Sequence, residues 1–284
     1  MKSADAQTEF FIERFSAEVV QHELTDVLAV EEPLEIRLGV FEDGKIAHRN
    51  VSITMRTPGN DDELAAGFLF TEGILQNREQ IADIVHCGKS PKMNLPSNTV
   101  RVNLQKDATV DFARLSRNFY TTSSCGVCGK SSLDFLAINA APFTNLKSPL
   151  INAEVIHQLP QKQREAQEVF EETGGLHAAA LFDVEGNLLV LREDVGRHNA
   201  VDKLIGRCFL DGKIPLEDSI LMLSGRASFE LVQKALAARI PVIAAVGAPS
   251  SLAVEAAREF GITLCGFVRN NKFNVYSVAE RIAV

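Results

Sequence analysis

The chain has 284 residues, of which 46% are hydrophobic and 23% are charged, a composition typical of a globular protein with a substantial core. Its net charge of −8 disfavours nucleic acid and anionic membranes as partners. No apolar run is long enough to span a bilayer, and the N-terminal residues lack the apolar region of a secretory signal, so we expect a cytoplasmic protein.

The first part of the chain, residues 1–140, is predicted to form a small α+β subdomain. Residues 34–56 predict two strands joined by "EDGK", whose Asp-Gly pair is typical of a hairpin turn. An amphipathic helix is expected next, capped by Asn60 or Asp61. "IADIVHC" and "NTVRVNL" predict two further strands, and the subdomain ends in a segment with two cysteines.

The second part, residues 141–284, is predicted to be an α/β domain. A long amphipathic helix starts near residue 152 and ends at Gly174, with a kink or break expected at Pro160. Strands such as "HAAALFDV", "SILMLS", "PVIAAV" and "ITLCGFV" then alternate with helices. Because these strands are almost wholly apolar, we expect a mostly parallel sheet covered by helices on both faces.

Cys125 and Cys128 form a C-x-x-C pair within "YTTSSCGVCGKSSL". A structural zinc site needs a second pair of ligands, and the adjacent His86 and Cys87 would chelate poorly. A thioredoxin-like motif would follow the first strand of a βαβ unit, whereas this one follows the whole α+β part. A sulfur carrier needs an accessible thiolate, which the small neighbouring residues favour. The spacing alone does not decide among these three chemistries.

Two strand-to-helix turns in the second part resemble each other. Ser224, Gly225 and Arg226 follow one strand, and "GAPS" follows the next. Glycine permits close approach of a ligand to the backbone, and open α/β sheets bind ligands at the carboxyl ends of their strands. The turns therefore indicate a phosphate-bearing ligand, unless they are ordinary turns with ordinary helix caps.

The segment "GFVRNNKFNVY" ends the last strand of this series. Arg269 and Lys272 flank the turn pair Asn270-Asn271. These residues form either a surface hairpin with solvated charges or a loop that offers amides and cations to a nucleotide. Its position at the same predicted edge of the sheet favours the second interpretation.

A helix in "REDVGRHNAVDKLIG" starts with Arg197 and His198, although helices more often start with acidic residues. This cationic start is compatible with an anionic ligand or with an ion pair to Asp194. His177, which begins a strand after two glycines, is more typical of a structural role than of a catalytic one.

Taken together, these motifs resemble the FdhD/NarQ family, the formate dehydrogenase accessory sulfurtransferases. The resemblance covers nearly the whole chain. The motifs that carry it are "TTSSCGVCGKSS", "GGLHAAALF", "REDVGRHNAVDKLIG", "SGRASFELVQKA", "APSSLAVEAA" and "GITLCGFVRNNKFNVY".

The resemblance implies a sulfurtransferase that takes sulfur from a cysteine desulfurase and transfers it to the molybdenum cofactor for formate dehydrogenase. The cofactor is the bis(molybdopterin guanine dinucleotide) form, for which GDP is a mimic. By motif, the persulfide falls on Cys125, and Cys128 assists the transfer. The cofactor-binding segment falls on Phe267, Val268, Arg269, Asn270, Asn271 and Lys272. Ser224, Gly225 and Arg226 are added from their strand position, as second-tier contacts. The alternative is a non-enzymatic cofactor chaperone whose C-x-x-C is structural or redox-active.

The resemblance also implies a fold and an assembly state. The second domain is expected to be a cytidine-deaminase-like three-layer domain, and the protein a homodimer. The zinc ligands and the glutamate of the zinc deaminases are absent, because "HAAA" stands where H-x-E would be required, so we predict no metal site.

Overall fold

The computed structural model describes residues 6–17, 19–42, 44–88, 97–110 and 141–284. Strands β1–β6 are Gln7–Phe15, Val20–Ala29, Glu32–Glu42, Lys45–Arg56, Ile81–His86 and Thr99–Leu104. Strands β7–β14 are Ile151–Asn152, His177–Asp183, Leu188–Asp194, Ser219–Leu223, Val242–Ala245, Thr263–Arg269, Lys272–Ser277 and Ile282–Ala283. Helices α1–α6 are Asp61–Thr71, Ala153–Glu165, Glu168–Thr173, Arg197–Leu210, Phe229–Ala237 and Ser251–Glu259.

The N-terminal part contains a four-stranded sheet in the order β4-β3-β6-β5. The predicted hairpin is confirmed, since Glu42 pairs with Lys45 across the turn. The predicted helix is also confirmed as α1, which starts after Asn60. Asn60 adopts a left-handed conformation and its side chain makes no capping hydrogen bond. The apolar face of this sheet packs against α1 in one core.

A six-stranded sheet forms the centre of the C-terminal part, in the order β13-β12-β11-β10-β8-β9. One apolar cluster on the sheet includes Ile156 and Leu159 of α2, and another includes buried residues of α4, α5 and α6. The helices therefore cover both faces, which gives three layers and confirms a mixed α/β fold.

The expectation of a mostly parallel sheet was wrong. Strand β11 runs parallel to β10 and to β12, but the pairs β8–β10, β8–β9 and β12–β13 are antiparallel. The pairs β8–β9 and β12–β13 are hairpins. A short turn joins the strands of each, because a few residues suffice to reverse a strand, whereas a parallel pair needs a long crossover connection.

The predicted long helix is two helices, but the break is not at Pro160. Helix α2 continues through Pro160, and the chain breaks after it, at Ala166 and Gln167. The carboxylate of Glu193 on β9 accepts hydrogen bonds from the backbone N–H groups of Val169 (3.1 Å) and Phe170 (2.9 Å). This carboxylate satisfies free N–H groups in the first turn of α3 and so stabilises a new helix start.

The two parts of the chain are joined by the crossing of α1 and α4. A Cβ at Gly67 would lie 1.9 Å from the main-chain oxygen of Asp202, and one at Gly206 would lie 1.8 Å from that of Glu63. Only glycine permits this approach of the two backbones. Buried polar contacts also connect the two parts: Asp202 accepts a hydrogen bond from Thr71 (2.8 Å) and pairs with Lys234 (3.0 Å). The division at residue 140 stays a prediction.

Candidate functional site

The carboxyl ends of β10, β11 and β12 lie side by side, because these three strands are parallel neighbours. The predicted turn residues therefore come together with the β12–β13 hairpin. The backbone N–H of Gly247 donates to the carbonyl of Gly225 (2.9 Å), and the N–H of Phe267 donates to the carbonyl of Gly247 (3.1 Å). A bridge between Ala227 and Pro249 continues this contact between the loops. The three loops form one connected rim at the edge of the sheet.

The glycines of this rim allow the loops to pack against each other. A Cβ at Gly247 would lie 3.0 Å from backbone atoms of Arg226, and one at Gly266 would lie 2.9 Å from the ring of Pro249. The N–H of Gly247 is already used within the rim. The sequence interpretation, in which such a glycine admits a ligand, therefore does not apply to Gly247.

Ser224 connects the rim to β8. Its backbone N–H donates to the carbonyl of Ala178 (3.1 Å), and its hydroxyl oxygen accepts from the N–H of Ala178 (2.8 Å). Gly225 lies beside the ring of His177, since a Cβ at Gly225 would be 3.4 Å from two atoms of that ring. The neighbouring Arg226 is exposed.

The β12–β13 hairpin has the tight turn that its sequence predicts. Asn270 and Asn271 both adopt positive φ angles, 52° and 54°, and Arg269 pairs with Lys272 across the turn. Two successive left-handed residues are typical of a type I′ turn, in which asparagine is favoured. Arg269, Asn270, Asn271 and Lys272 are all exposed, so both cations project from the rim into solvent.

A bulge in β12 places Phe267 and Val268, adjacent residues of the predicted binding segment, in different environments. The register shifts between Gly266 and Arg269, and Phe267 adopts a φ of 55°. Phe267 is half-buried, and the guanidinium of Arg269 lies over its ring at 5.7 Å from the centroid. Val268 instead points into the core and is fully buried. Only the backbone of Val268 is therefore available to a ligand in this conformation.

The contacts at the start of α4 decide whether Arg197 forms the ion pair with Asp194 that the sequence left open. Asp194 is fully buried and pairs with Lys203 at 2.7 Å. The same carboxylate accepts hydrogen bonds from the N–H of Gly196 (2.8 Å) and from Asn199 (3.0 Å). Asp194 is thus already paired, and the Nε atom of Arg197 is buried without a hydrogen-bond partner among the described residues.

Two histidines lie near this arginine. Burial and the positive charge of Arg197 lower the pKa of His177, and Asp194 opposes this shift. For His198, burial and the charges of Arg197 and Lys234 lower the pKa to about 4. The Nε2 atom of His198 lies 3.2 Å from the hydroxyl of Ser228, the residue before α5, and 3.9 Å from the carboxylate of Glu230. Both rings are therefore neutral at pH 7.

A pocket of about 440 Å³ opens beside the rim, between α2, α3 and the sheet. His177, Ser224 and Val246 line it from the strand ends, and Arg164 and Phe170 line it from the helices. The guanidinium of Arg164 stacks over the ring of Phe170 at 3.9 Å. Sequence reasoning missed Arg164 and Phe170, because their spacing is that of an ordinary amphipathic helix.

Cys125 and Cys128 lie outside the described residues. Of the other cysteines, Cys208 and Cys265 are buried, and burial raises the pKa of their thiols to about 11 and about 12. They are therefore protonated and unreactive at neutral pH. Within the described residues, no group of three or more histidine, cysteine, aspartate or glutamate side chains could hold a metal ion. No helix in the described ranges has the length and apolarity to cross a membrane.

Comparison with known proteins gives consistent matches over most of the chain. The profile of the FdhD/NarQ family matches residues 29–283. A sulfur carrier protein FdhD from Streptomyces coelicolor is 50% identical over 261 residues, which cover 91% of this chain and 90% of that protein. A protein of the same name from Sulfurisphaera tokodaii is 45% identical over 257 residues, covering 90% of this chain and 92% of that protein.

A solved structure extends the match to the fold. The crystal structure of a protein from Desulfotalea psychrophila, described as a formate dehydrogenase accessory protein, superimposes with a TM-score of 0.73. The two chains are 25% identical, and the match covers 98% of this chain and all of the other.

Proposed function

Because the chain belongs to the FdhD/NarQ family, we propose that it is a sulfur carrier that serves the maturation of formate dehydrogenase. The observation that carries this proposal is the 50% identity, over 91% of the chain, to a protein named as a sulfur carrier. The C-x-x-C pair supplies a thiol suited to the task, and the two buried cysteines with raised pKa values do not.

We propose Cys125 as the sulfur carrier and a cysteine desulfurase as the donor. The thiolate of Cys125 attacks the outer sulfur of the donor's persulfide. A new S–S bond forms on Cys125, the S–S bond of the donor breaks, and the donor cysteine leaves as a thiolate. Charge and sulfur balance, and no oxidant is consumed in this step.

Cys128 provides a route for release. Its thiolate attacks the inner sulfur of the Cys125 persulfide, which forms a Cys125–Cys128 disulfide and expels hydrosulfide. The hydrosulfide is the species delivered to the acceptor. A thiol reductant must then reduce the disulfide before the next cycle.

The proposed acceptor is the molybdenum cofactor in its bis(molybdopterin guanine dinucleotide) form, bound as a substrate at the rim. The rim supports this proposal by its charge. Arg226, Arg269 and Lys272 are exposed there in a chain of net charge −8. Exposed cations and turn amides suit the phosphates of a nucleotide.

A complementation experiment separates sulfur transfer from the alternative of a cofactor chaperone. The variants are expressed in a strain that lacks its own family member, and formate dehydrogenase activity is measured. A Cys125→Ala/Cys128→Ala double variant is expected to abolish activity, whereas Cys87→Ala, at a half-buried cysteine, retains it. Full activity of the double variant would favour a chaperone that binds the cofactor without thiol chemistry.

Two further expectations from the resemblance remain proposals. We propose that the C-terminal part has a cytidine-deaminase-like fold. The three adjacent parallel strands β10, β11 and β12, together with the antiparallel β8–β9 hairpin, support this proposal. We also propose a homodimer, which sedimentation equilibrium tests: a monomer at micromolar concentration would contradict it.

A further inference from the structure

The β1–β2 hairpin, residues 7–29, forms an arm that is attached to the rest of the chain at its base. There the N–H of Val30 donates to the carbonyl of Ala6 (2.8 Å), and β2 contacts α3. A Cβ at Gly175 would lie 3.8 Å from that of Ala29, so the base of the arm also packs beside this glycine. Residues 13–17 and 19–23, around the turn, are all exposed. Because a two-stranded hairpin is at best marginally stable in water, the arm needs a further surface to pack on.

Large apolar side chains are exposed on both faces of this arm. The alternation along β1 and its register with β2 place Phe10 and Leu28 on one face, where both are exposed. Phe11 and Phe15 lie on the opposite face and are 85% and 72% exposed. Contiguous exposed apolar surface of this kind marks a site of protein–protein interaction.

The four-stranded sheet carries a second exposed apolar surface on its outer face, which is the face opposite α1. Ile46, Ile53 and Met55 of β4 are exposed there. Their partners on β3 alternate with the buried residues of that strand, which pack against α1. Strand β4 is also an edge of the sheet. An edge strand offers unpaired backbone groups to which another strand can add.

The charge of the arm is strongly negative. It contains one arginine, Arg14, and five acidic residues, which are Glu9, Glu13, Glu18, Glu23 and Asp26. Glu13 lies 3.0 Å from the ring of His22 within the arm. The arm therefore suits a partner surface that combines apolar side chains with cations.

Strand β4 and its neighbours on the outer face have this combination. The sequence of β4 contains no acidic residue, and its Lys45 and Arg49 are exposed. Arg101 of β6 contacts His48 (3.1 Å) and Asn103 (2.9 Å) and pairs with no carboxylate among the described residues.

The carboxylates on the same face are already bound. Glu35 pairs with Arg37 at 2.6 Å, and Asp83 accepts a hydrogen bond from Asn103 at 2.5 Å. These contacts reduce the repulsion that an acidic partner would meet at this face.

We propose that the arm of one copy packs on the outer face of β4 in a second copy, and that the exchange is reciprocal. A second copy is the occupant because the arm and the surface complementary to it are both exposed on the same chain, as a two-fold interface requires. A standard interface takes about 20 to 30 residues from each side. Strands β1, β2 and β4, with 9, 10 and 12 residues, supply that number. The inference rests on the homodimer proposed above and assigns its interface.

Sedimentation equilibrium of full-chain variants tests the interface. The variants are Phe11→Ser/Phe15→Ser in the arm and Ile53→Ser on β4. Leu150→Ser is the matched control, because Leu150 is exposed to a similar extent, 61% against 68% for Ile53, and lies outside both surfaces. The double variant is expected to raise the dissociation constant of the dimer about a hundredfold or more, and Ile53→Ser about tenfold, since each dimer loses every substituted side chain twice. The control should dimerise as the wild type does.

Photocrosslinking identifies the surface that receives the arm. Full chain with benzoylphenylalanine at position 11 is mixed with isotopically labelled wild-type chain, irradiated and digested. We expect a crosslinked peptide that joins residue 11 of one copy to labelled residues within 45–56 of the other. Crosslinks confined to a single chain, or to another region of the second copy, would overturn the proposal.

The outcomes separate this interface from the proposals on which it builds. A wild type that is monomeric at micromolar concentration contradicts both the homodimer and the exchange of arms. A dimer that Phe11→Ser/Phe15→Ser leaves intact overturns the exchange of arms alone. Sulfur loading of Cys125, measured on the same samples, tests the sulfur-carrier function independently of the dimer.

Discussion

Replacing Gly67 with alanine tests how closely the two parts of the chain are joined. The new Cβ would lie 1.9 Å from the main-chain oxygen of Asp202 and 2.8 Å from the nitrogen of Gly206. A carbon and a carbonyl oxygen approach to about 3.3 Å at the closest, so α1 and α4 must separate by more than about 1 Å. Both neighbours are helix backbone, which cannot rotate away as a side chain can.

The expected cost follows from three contributions. Overpacking of a well-packed core costs about 1 to 3 kcal/mol, and the rigid backbone places this site at the upper end. Separation of the helices also loosens the buried hydrogen bond between Thr71 and Asp202, worth about 1 kcal/mol. Alanine returns about 1 kcal/mol through its higher helix propensity. The net loss of unfolding free energy is therefore about 3 kcal/mol.

Urea denaturation followed by circular dichroism measures this loss. Gly175→Ala is the control, because a Cβ there would meet its neighbours at an ordinary 3.8 Å. The control is expected to stay within about 0.5 kcal/mol of the wild type. A Gly67→Ala variant that loses less than about 1 kcal/mol would refute the close crossing of α1 and α4.

Two other predictions concern the rim and its histidine. Arg269→Ala and Lys272→Ala are each expected to weaken GDP binding about tenfold. Calorimetry measures the affinity, and Lys147→Ala is the control. An unchanged affinity would mean that the hairpin is only a surface turn. For His198, the pKa of about 4 in the folded chain lies below its ordinary value. As the pH falls, the histidine of the unfolded chain therefore becomes protonated at a higher pH than that of the folded chain. The contribution of His198 to the free energy of unfolding is thus fully present above about pH 6.5 and is lost as the pH falls toward 4. We expect a loss of only about 1 to 2 kcal/mol, because 38% of the side chain is exposed and solvent screens its charge. His198→Gln should lose less stability over this range, and equal losses would contradict the lowered pKa.

Strands that bury one face or both faces could be predicted from the sequence. A strand with one buried face alternates polar and apolar residues, and a strand with two buried faces is a continuous apolar run. The β1–β2 hairpin was missed for the opposite reason. Phe11 is 85% exposed and Phe15 is 72% exposed, and most other residues of the two strands are also exposed. A hairpin without a buried face has no alternation of polar and apolar residues to reveal it.

Contacts between distant residues account for the remaining differences. The break between α2 and α3 depends on Glu193, more than twenty residues further along the chain. The orientation of Val268 depends on the bulge in β12, because a shift of one residue turns a side chain to the opposite face. The partner of Asp194 depends on the fold, since Arg197 and Lys203 lie on the same helix and only one of them reaches it. The rim itself was predictable from strand order, but the pocket beside it was not.

The central claim is that Cys125 carries sulfur, and mass spectrometry of the loaded protein tests it most directly. The purified chain is incubated with a cysteine desulfurase and cysteine, digested without reductant, and searched for a peptide that is heavier by one sulfur atom. We predict the added sulfur on Cys125 in the wild type and in Cys128→Ala, and none in Cys125→Ala. A Cys125→Ala variant that still acquires the sulfur, or a wild type that acquires none, would contradict the account.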